Sequence, residues 1–310
     1  MRTPLIAISA LLTLTIVMGK ATAQPPPAMA EFRRFSIGNL NAIALKDGAL
    51  YEPNDGKSFV LGQTPSEVAA ALKSGGVPTD HFEFSIQPLL VLGGDRVLLF
   101  DTGAGSNFGP IAGALLESMH AAGVDPASVT DVFISHAHGD HIGGLLTPAG
   151  ALAFSNAAVH MSAPEWSWLS GMSADAAQKV GISHLDALVR TIKPKVAPFK
   201  PGAQLIPGMV KAVAIEGHTP GHSGYLIGTD GNTLLFIGDA LHSFVVSVRE
   251  PQWQISFDTD PATGAASRVA LLARVAASGQ RLYAGHFPFP GVGKIVKQGS
   301  SYDWVPEPLH

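Results

Sequence analysis

The 310-residue chain contains no cysteine. That excludes disulfide cross-links, a thiolate nucleophile and cysteine-ligated metal centres, so stability must come from the core and from whatever the chain binds. Charge is sparse, 14% of residues with a net −4, and no dense Lys or Arg run occurs; binding to a nucleic-acid backbone is therefore not its main task. A Gly-x-Ser-x-Gly elbow is missing, which argues against a serine nucleophile. So is a glycine-rich fingerprint after the first strand, which a dinucleotide-binding doubly wound sheet requires. The longest apolar run, Pro4 to Met18 after Arg2, is too short for a comfortable membrane span. With Ala21-Thr22-Ala23 ahead of Gln24 it reads as a signal peptide, residues 1–23, which leaves 24–310 as one exported domain, periplasmic or secreted and free of the membrane. The stretch Gln24-Pro25-Pro26-Pro27-Ala28 reads as an exposed lead-in.

The chain does have a dense histidine cluster. Ser135-His136-Ala137-His138-Gly139-Asp140-His141 follows the apolar run Val132-Phe133-Ile134 and precedes Ile142-Gly143-Gly144. Four potential ligands within six residues are too compact for one tetrahedral site but suit two neighbouring divalent ions, for which imidazole and carboxylate are natural ligands. A buried strand would aim the cluster and a loop would wrap the ions.

Alternating apolar and polar residues predict β-hairpins over 35–49 and over 89–100, the second turning at Gly93-Gly94-Asp95. Helical spacing is found over 111–122, 163–170 and 174–192, with Gly171 dividing the last two; strands are predicted at 131–134, 157–161, 211–215, 224–228 and 233–237. Several strands stop at a candidate ligand. Residues 211–215 run into Glu216-Gly217-His218-Thr219-Pro220-Gly221-His222, residues 233–237 into Gly238-Asp239, residues 281–284 into Gly285-His286, and the second hairpin into Asp101-Thr102-Gly103. Two packed sheets with helices outside would gather these strand ends along one edge, so the expected class is α/β, a four-layer αββα sandwich.

His-x-His-x-Asp-His between a buried strand and Gly-Gly resembles the signature of the metallo-β-lactamase superfamily, and the resemblance runs from about Phe32 to the C-terminus. It is nearest to the branch that holds secreted methyl parathion hydrolase and related lactonases. The resemblance implies that His136, His138 and His218 ligate one metal, that Asp140, His141 and His286 ligate the other, and that Asp239 bridges them. Asp140 and Asp239 are then the candidate catalytic carboxylates. It implies two divalent ions, zinc first, although such sites also accept manganese, iron or cobalt. His222 is expected to be a supporting residue rather than a ligand, and Asp101 either a turn former or a residue that orients a ligand imidazole. A homodimer is a family-level expectation. The isolated histidines, His81, His120, His160, His184 and His310, are expected to be structural or at the surface.

Two metals lower the pKa of a bridging water and withdraw charge from a carbonyl or phosphoryl oxygen, so the expected activity is metal-dependent hydrolysis of a small-molecule lactone or aryl ester. Phosphotriesterase activity of the methyl parathion type, a β-lactamase and a metal-binding protein without catalysis are the alternatives. A single-iron oxidoreductase of the same fold uses fewer ligands than the seven present here. Phe108 and Trp168 resemble two aromatics of the methyl parathion hydrolase leaving-group pocket, and His242 stands where that branch has an aliphatic residue. The third pocket aromatic has no counterpart near Gly181-Ile182-Ser183-His184-Leu185. A more polar, less closed pocket is therefore expected, favouring lactones or aryl esters over phosphotriesters.

Overall fold

The computed structural model describes residues 25–229 and 231–309; the leader predicted at 1–23 lies outside them. Its first sheet has seven strands in the spatial order Glu31–Ile37, Leu40–Lys46, Leu89–Gly93, Arg96–Phe100, Asp131–Phe133, Ala158–Ser162 and Val196–Phe199. The first four are antiparallel and the last four parallel, because helical segments, rather than hairpins, connect 96–100 to 131–133 and 158–162 to 196–199. The second sheet runs Gln204–Ile206, Val210–Ala214, Ser223–Thr229, Asn232–Phe236, Arg281–Tyr283, Val292–Gln298 and Ser301–Pro306. Its single parallel pair joins 232–236 to 281–283 across the long helix Pro261–Ser278.

Period-two alternation sorts the strand residues into layers. From the second strand, Ala42 and Ala44 face the other sheet, where Leu89, Leu98, Phe100 and Phe133 meet Val210, Tyr225, Ile227, Phe236 and Tyr283. Ile43 and Leu45 point the opposite way and pack with Met119, Leu169, Leu188 and Ile192 of the outer helices. On the far side Leu235, Leu282 and Ile295 bury Leu271, Leu272 and Val275 of helix Pro261–Ser278. The order is helix, sheet, sheet, helix. Each fully buried phenylalanine between the sheets contributes about 1.5–3 kcal/mol by leaving water.

The predicted hairpins form, with shifts. The first begins at Glu31 and ends at Lys46, after which Gly48–Pro53 leaves the sheet to pair with His81–Ile86. The helix expected over 111–122 is shorter, Leu115–Ala121. Its start is displaced because the buried Asp47 carboxylate accepts the backbone N–H groups of Ala104, Gly113 and Leu115, and Gly113 sits at φ +102°. The single helix expected over 174–192 is two, Ala174–Lys179 and Leu185–Ile192, parted at the left-handed Gly181. A small layer built by helix Pro65–Ser74, Phe59, Phe82, Phe84 and Ile255 had no predicted elements, and it covers one end of the strand edge where the ligand loops meet. Among the described residues no helix is long and apolar enough to cross a membrane.

Candidate metal centre

All seven candidate ligands are delivered by loops that leave strand ends, and they meet at one edge of the sandwich. His136 and His138 follow strand Asp131–Phe133, and Asp140 and His141 lie in the one-turn helix Gly139–Ile142 that comes next. This turn packs tightly on the loop after strand Arg96–Phe100. A Cβ on Gly143 would lie 2.0 Å from the Ala104 carbonyl oxygen and one on Gly144 1.9 Å from that of Thr102, so the Gly-Gly pair is required by the approach of backbone to backbone. His218 follows strand Val210–Ala214, Asp239 follows Asn232–Phe236, and His286 follows Arg281–Tyr283.

Two groups result. His136 Nε2 and His138 Nδ1 each lie 3.1 Å from His218 Nε2, and Asp239 Oδ2 is 3.6 Å from the first and 3.5 Å from the last of these histidines. In the second group Asp140 Oδ2 is 3.4 Å from His141 Nε2 and 3.5 Å from His286 Nε2. Asp239 reaches this group too, with Oδ1 3.1 Å from His141 Nε2 and Oδ2 3.1 Å from His286 Nε2. Ligand atoms of a tetrahedral zinc site, with bonds of about 2.0–2.1 Å, stand about 3.3 Å apart. Both groups could therefore hold an ion, with Asp239 in reach of each, and Asp239, His242 and His286 form a third, overlapping group with ligand spacing.

Electrostatics favours neutral ligands in the three-histidine group. Burial, reinforced by neighbouring histidines, holds His136, His138 and His218 well below the ordinary histidine value, so their imidazoles are neutral and their lone pairs converge. Around the second group, burial lowers His141, but Asp239, Asp140 and Asp101 outweigh it and hold it well above that value. His141 Nε2 and Asp239 Oδ1 are buried and make no hydrogen bond, although they lie close to each other, which is the signature of polar atoms built for a ligand.

Further residues hold the ligand rings. Asp101, at φ +57°, accepts Ser135 N–H at Oδ1, and at Oδ2 accepts Ser135 Oγ–H and His141 Nδ1, each at 2.7 Å. Ser135 Oγ in turn lies 3.0 Å from His136 Nδ1, so one carboxylate orients a ring in each group. Asp258 Oδ1 takes His218 Nδ1 at 2.9 Å, and the Ser85 carbonyl takes His286 Nδ1 at 2.7 Å. A cavity of about 330 Å³ opens onto His138, Asp140, Asp239, His242 and His286. Its apolar wall includes Leu50, Phe84, Phe108, Val180 and Phe257.

A family model described as the metallo-beta-lactamase superfamily matches residues 83–286, more than half of the chain. The chain belongs to the metallo-β-lactamase superfamily. Among solved structures it is similar to AidC, a dizinc quorum-quenching lactonase in complex with a product, an N-acyl-L-homoserine: 28% identity over 91% of this chain and 99% of that one, TM-score 0.84. It is also similar to AbOPH, a hydrolase of the beta-lactamase superfamily, at 29% identity over 91% and 99% of the two chains, TM-score 0.81. A probable metal-dependent hydrolase from Staphylococcus aureus shares the fold at 17% identity over 89% and 100%, TM-score 0.71. A search of curated protein sequences gives no match. This superfamily member is a metal-dependent hydrolase.

Of the two aromatics expected in the pocket, one lines the cavity. Phe108 does; Trp168, on helix Ala163–Ser170, is not among the lining residues and packs in part against the outer core, yet its ring lies 6.1 Å from that of the candidate ligand His138. Phe84 and Phe257, from segments that carried no motif, join the wall beside the polar Glu52, Lys179, Ser256 and Thr259; the Phe84 ring lies 6.1 Å from both Phe257 and His286. His242 is nearer the centre than a wall residue. Its Nε2 lies 3.0 Å from Asp239 Oδ2, yet neither ring nitrogen makes a hydrogen bond. His222 cannot turn a nitrogen to a metal without losing a bond, since Nε2 accepts Asp239 N–H at 2.9 Å and Nδ1 faces the Ile215 carbonyl at 3.0 Å. The sequence reading missed Asp258 and Glu165, both buried carboxylates that no motif marks.

Proposed function

We propose that this hydrolase opens lactones or cleaves aryl esters of apolar acids, with phosphotriester hydrolysis a weaker activity of the same site. The observation that carries the reading is a cavity with Phe84, Phe108 and Phe257 in its wall directly over the paired ligand groups, and the similarity to a dizinc lactonase supports it. His136, His138 and His218 would hold one ion and Asp140, His141 and His286 the other, with Asp239 between them. Two such ions, zinc in this proposal, supply a water acidified to near neutrality and a Lewis acid for the carbonyl oxygen.

The protein's own groups do the rest. Burial would raise the Asp140 carboxyl, but His141 and His286 outweigh it, so Asp140 is ionised at the cavity wall. It can take the proton of the attacking water at a carboxylate oxygen and return it to the alkoxide released when the acyl C–O bond breaks. Phe84, Phe108 and Phe257 hold the apolar part of the ester and exclude competing water. The substrate is a small molecule, and the proposal extends to export through the N-terminal apolar run, a homodimeric state and kinship with the methyl parathion hydrolase branch.

The test is a panel of lactones, aryl esters, phosphotriesters and β-lactams on one metal-loaded preparation. We expect kcat/KM for a dihydrocoumarin-type lactone to exceed that for methyl parathion, and Phe84→Ala and Phe108→Ala to change the ratio. A ratio below one rejects the lactone preference and makes phosphotriesters the main substrate; unchanged ratios in both variants remove the aromatic wall from substrate recognition.

A further inference from the structure

Glu165 is a fully buried carboxylate in the first turn of helix Ala163–Ser170. Its partners are N–H and O–H groups rather than a cation: Oε1 accepts Ala137 N–H at 2.7 Å, and Oε2 accepts Thr219 Oγ1–H and Gly221 N–H, both at 2.8 Å. Ala137 stands between His136 and His138, and Thr219 follows His218. The two loops tied together at Glu165 are therefore those that carry the three-histidine group.

The helix start is itself anchored to the second loop. Ser162 Oγ accepts Glu165 N–H at 3.3 Å and donates to the Gly221 carbonyl at 2.7 Å. A Cβ on Gly221 would lie 2.3 Å from Glu165 N and 2.3 Å from Ser162 Oγ, so the approach tolerates only glycine. Burying a carboxylate is a costly way to fill space, and at this position it does what no other side chain of that size can: it accepts hydrogen bonds on both ends at once. Glutamine would accept on one end only, and its NH₂ would face a donor on the other. The second ligand group has its own supports, Asp101 against His141 and the Ser85 carbonyl against His286.

We propose that Glu165 is a positioning residue that sets the separation of the His136/His138 loop from the His218 loop, and thereby the metal affinity of the three-histidine site alone. The proposal rests on the reading of two metal sites and not on the identity of the substrate. The measurement is zinc binding to full-length protein stripped of metal, titrated against a chromophoric chelator, with the thermal melt of the metal-free protein recorded alongside. In Glu165→Gln one site should weaken by about 10- to 100-fold while the other stays within about threefold. Thr219→Val, which removes one donor and leaves the carboxylate, should show the same selectivity to a smaller extent. In a His218→Ala background Glu165→Gln should add nothing to the loss.

Equal weakening of both sites, or a lower melt with unchanged affinities, would overturn the proposal and leave Glu165 a folding residue. If Glu165→Gln does not fold, Thr219→Val decides by the same criterion. Uptake of one ion by the wild type would refute the two-site reading separately; an unweakened ion in the variants would then refute the clamp as well.

Discussion

Replacing Asp101 by Asn tests how far the metal centre depends on a residue that touches no metal. The change keeps the shape of the side chain and tolerates the left-handed backbone at φ +57°. Its amide oxygen can still accept Ser135 N–H, but its NH₂ must take the place of Oδ2, where Ser135 Oγ–H and His141 Nδ1–H now donate at 2.7 Å. Donor meets donor, and His141 relieves the clash by moving its proton from Nδ1 to Nε2. That fixes N–H at the nitrogen that must give up its proton and offer a lone pair to the ion, and the ring can no longer ligate. Ser135, now accepting from the amide, turns its hydrogen toward His136 Nδ1, 3.0 Å away, and forces the same exchange there. Each group thus loses one ligand or carries the cost of the wrong tautomer. A charge-assisted hydrogen bond contributes about 1.5–3 kcal/mol, which at 1.4 kcal/mol per factor of ten is about 10- to 150-fold in affinity. The assay is the zinc competition titration on the full chain. Both sites should weaken, in contrast to the single-site effect expected of Glu165→Gln. Affinities within about threefold of wild type would refute the tautomer argument.

The remaining ligands make sharper contrasts. Asp239→Ala should release at least one of two ions and nearly all activity, read by elemental analysis and a hydrolysis assay on the same sample; a single tightly held ion in fully active wild type would refute the paired centre. His218→Ala should cut metal content severely, whereas His222→Ala, which removes bonds to Asp239 N and the Ile215 carbonyl, should cost at most about 10- to 100-fold. The reverse order would exchange their roles. Far from the centre, burial would raise the Asp131 carboxyl, but hydrogen bonds from His160, Thr130 and Arg96 bring it down to about 2. With the folded value below the unfolded one, its stabilisation is present above the ordinary carboxylate range and lost as pH falls through about 2. Asp131→Asn should therefore lower the melting temperature near neutrality and flatten its fall between about pH 4 and pH 2, followed by circular dichroism; an unchanged slope would refute the linkage.

The ligand set was legible in the sequence because metal chemistry restricts the residue types and because each ligand follows an apolar strand with local signals of its own. His136 to His141 follow Val132-Phe133-Ile134, His218 follows residues 211–215, Asp239 follows residues 233–237 and His286 follows residues 281–284, so strand ends alone placed all seven ligands on one kind of site. Hairpins at 31–46 and 89–100 were readable for the same local reason: alternation and turn residues act over a few positions. Helix limits near Gly113 and Gly181 were not, since they depend on Asp47 reaching across from the joint between strands Leu40–Lys46 and Gly48–Pro53 and on the fit of Phe108 over Gly181. Only the tertiary structure decided the pocket and the supports. Phe84 and Phe257 are ordinary core aromatics until the chain brings them beside His286 and His242, and Trp168 is shared between the outer core and a contact with the His138 ring. Glu165 and Asp258 gain their meaning from partners 28 to 56 residues distant. Ligand identity is a property of single side chains next to a strand, whereas orientation of those ligands depends on contacts between segments that have no sequence relation until the two sheets pack.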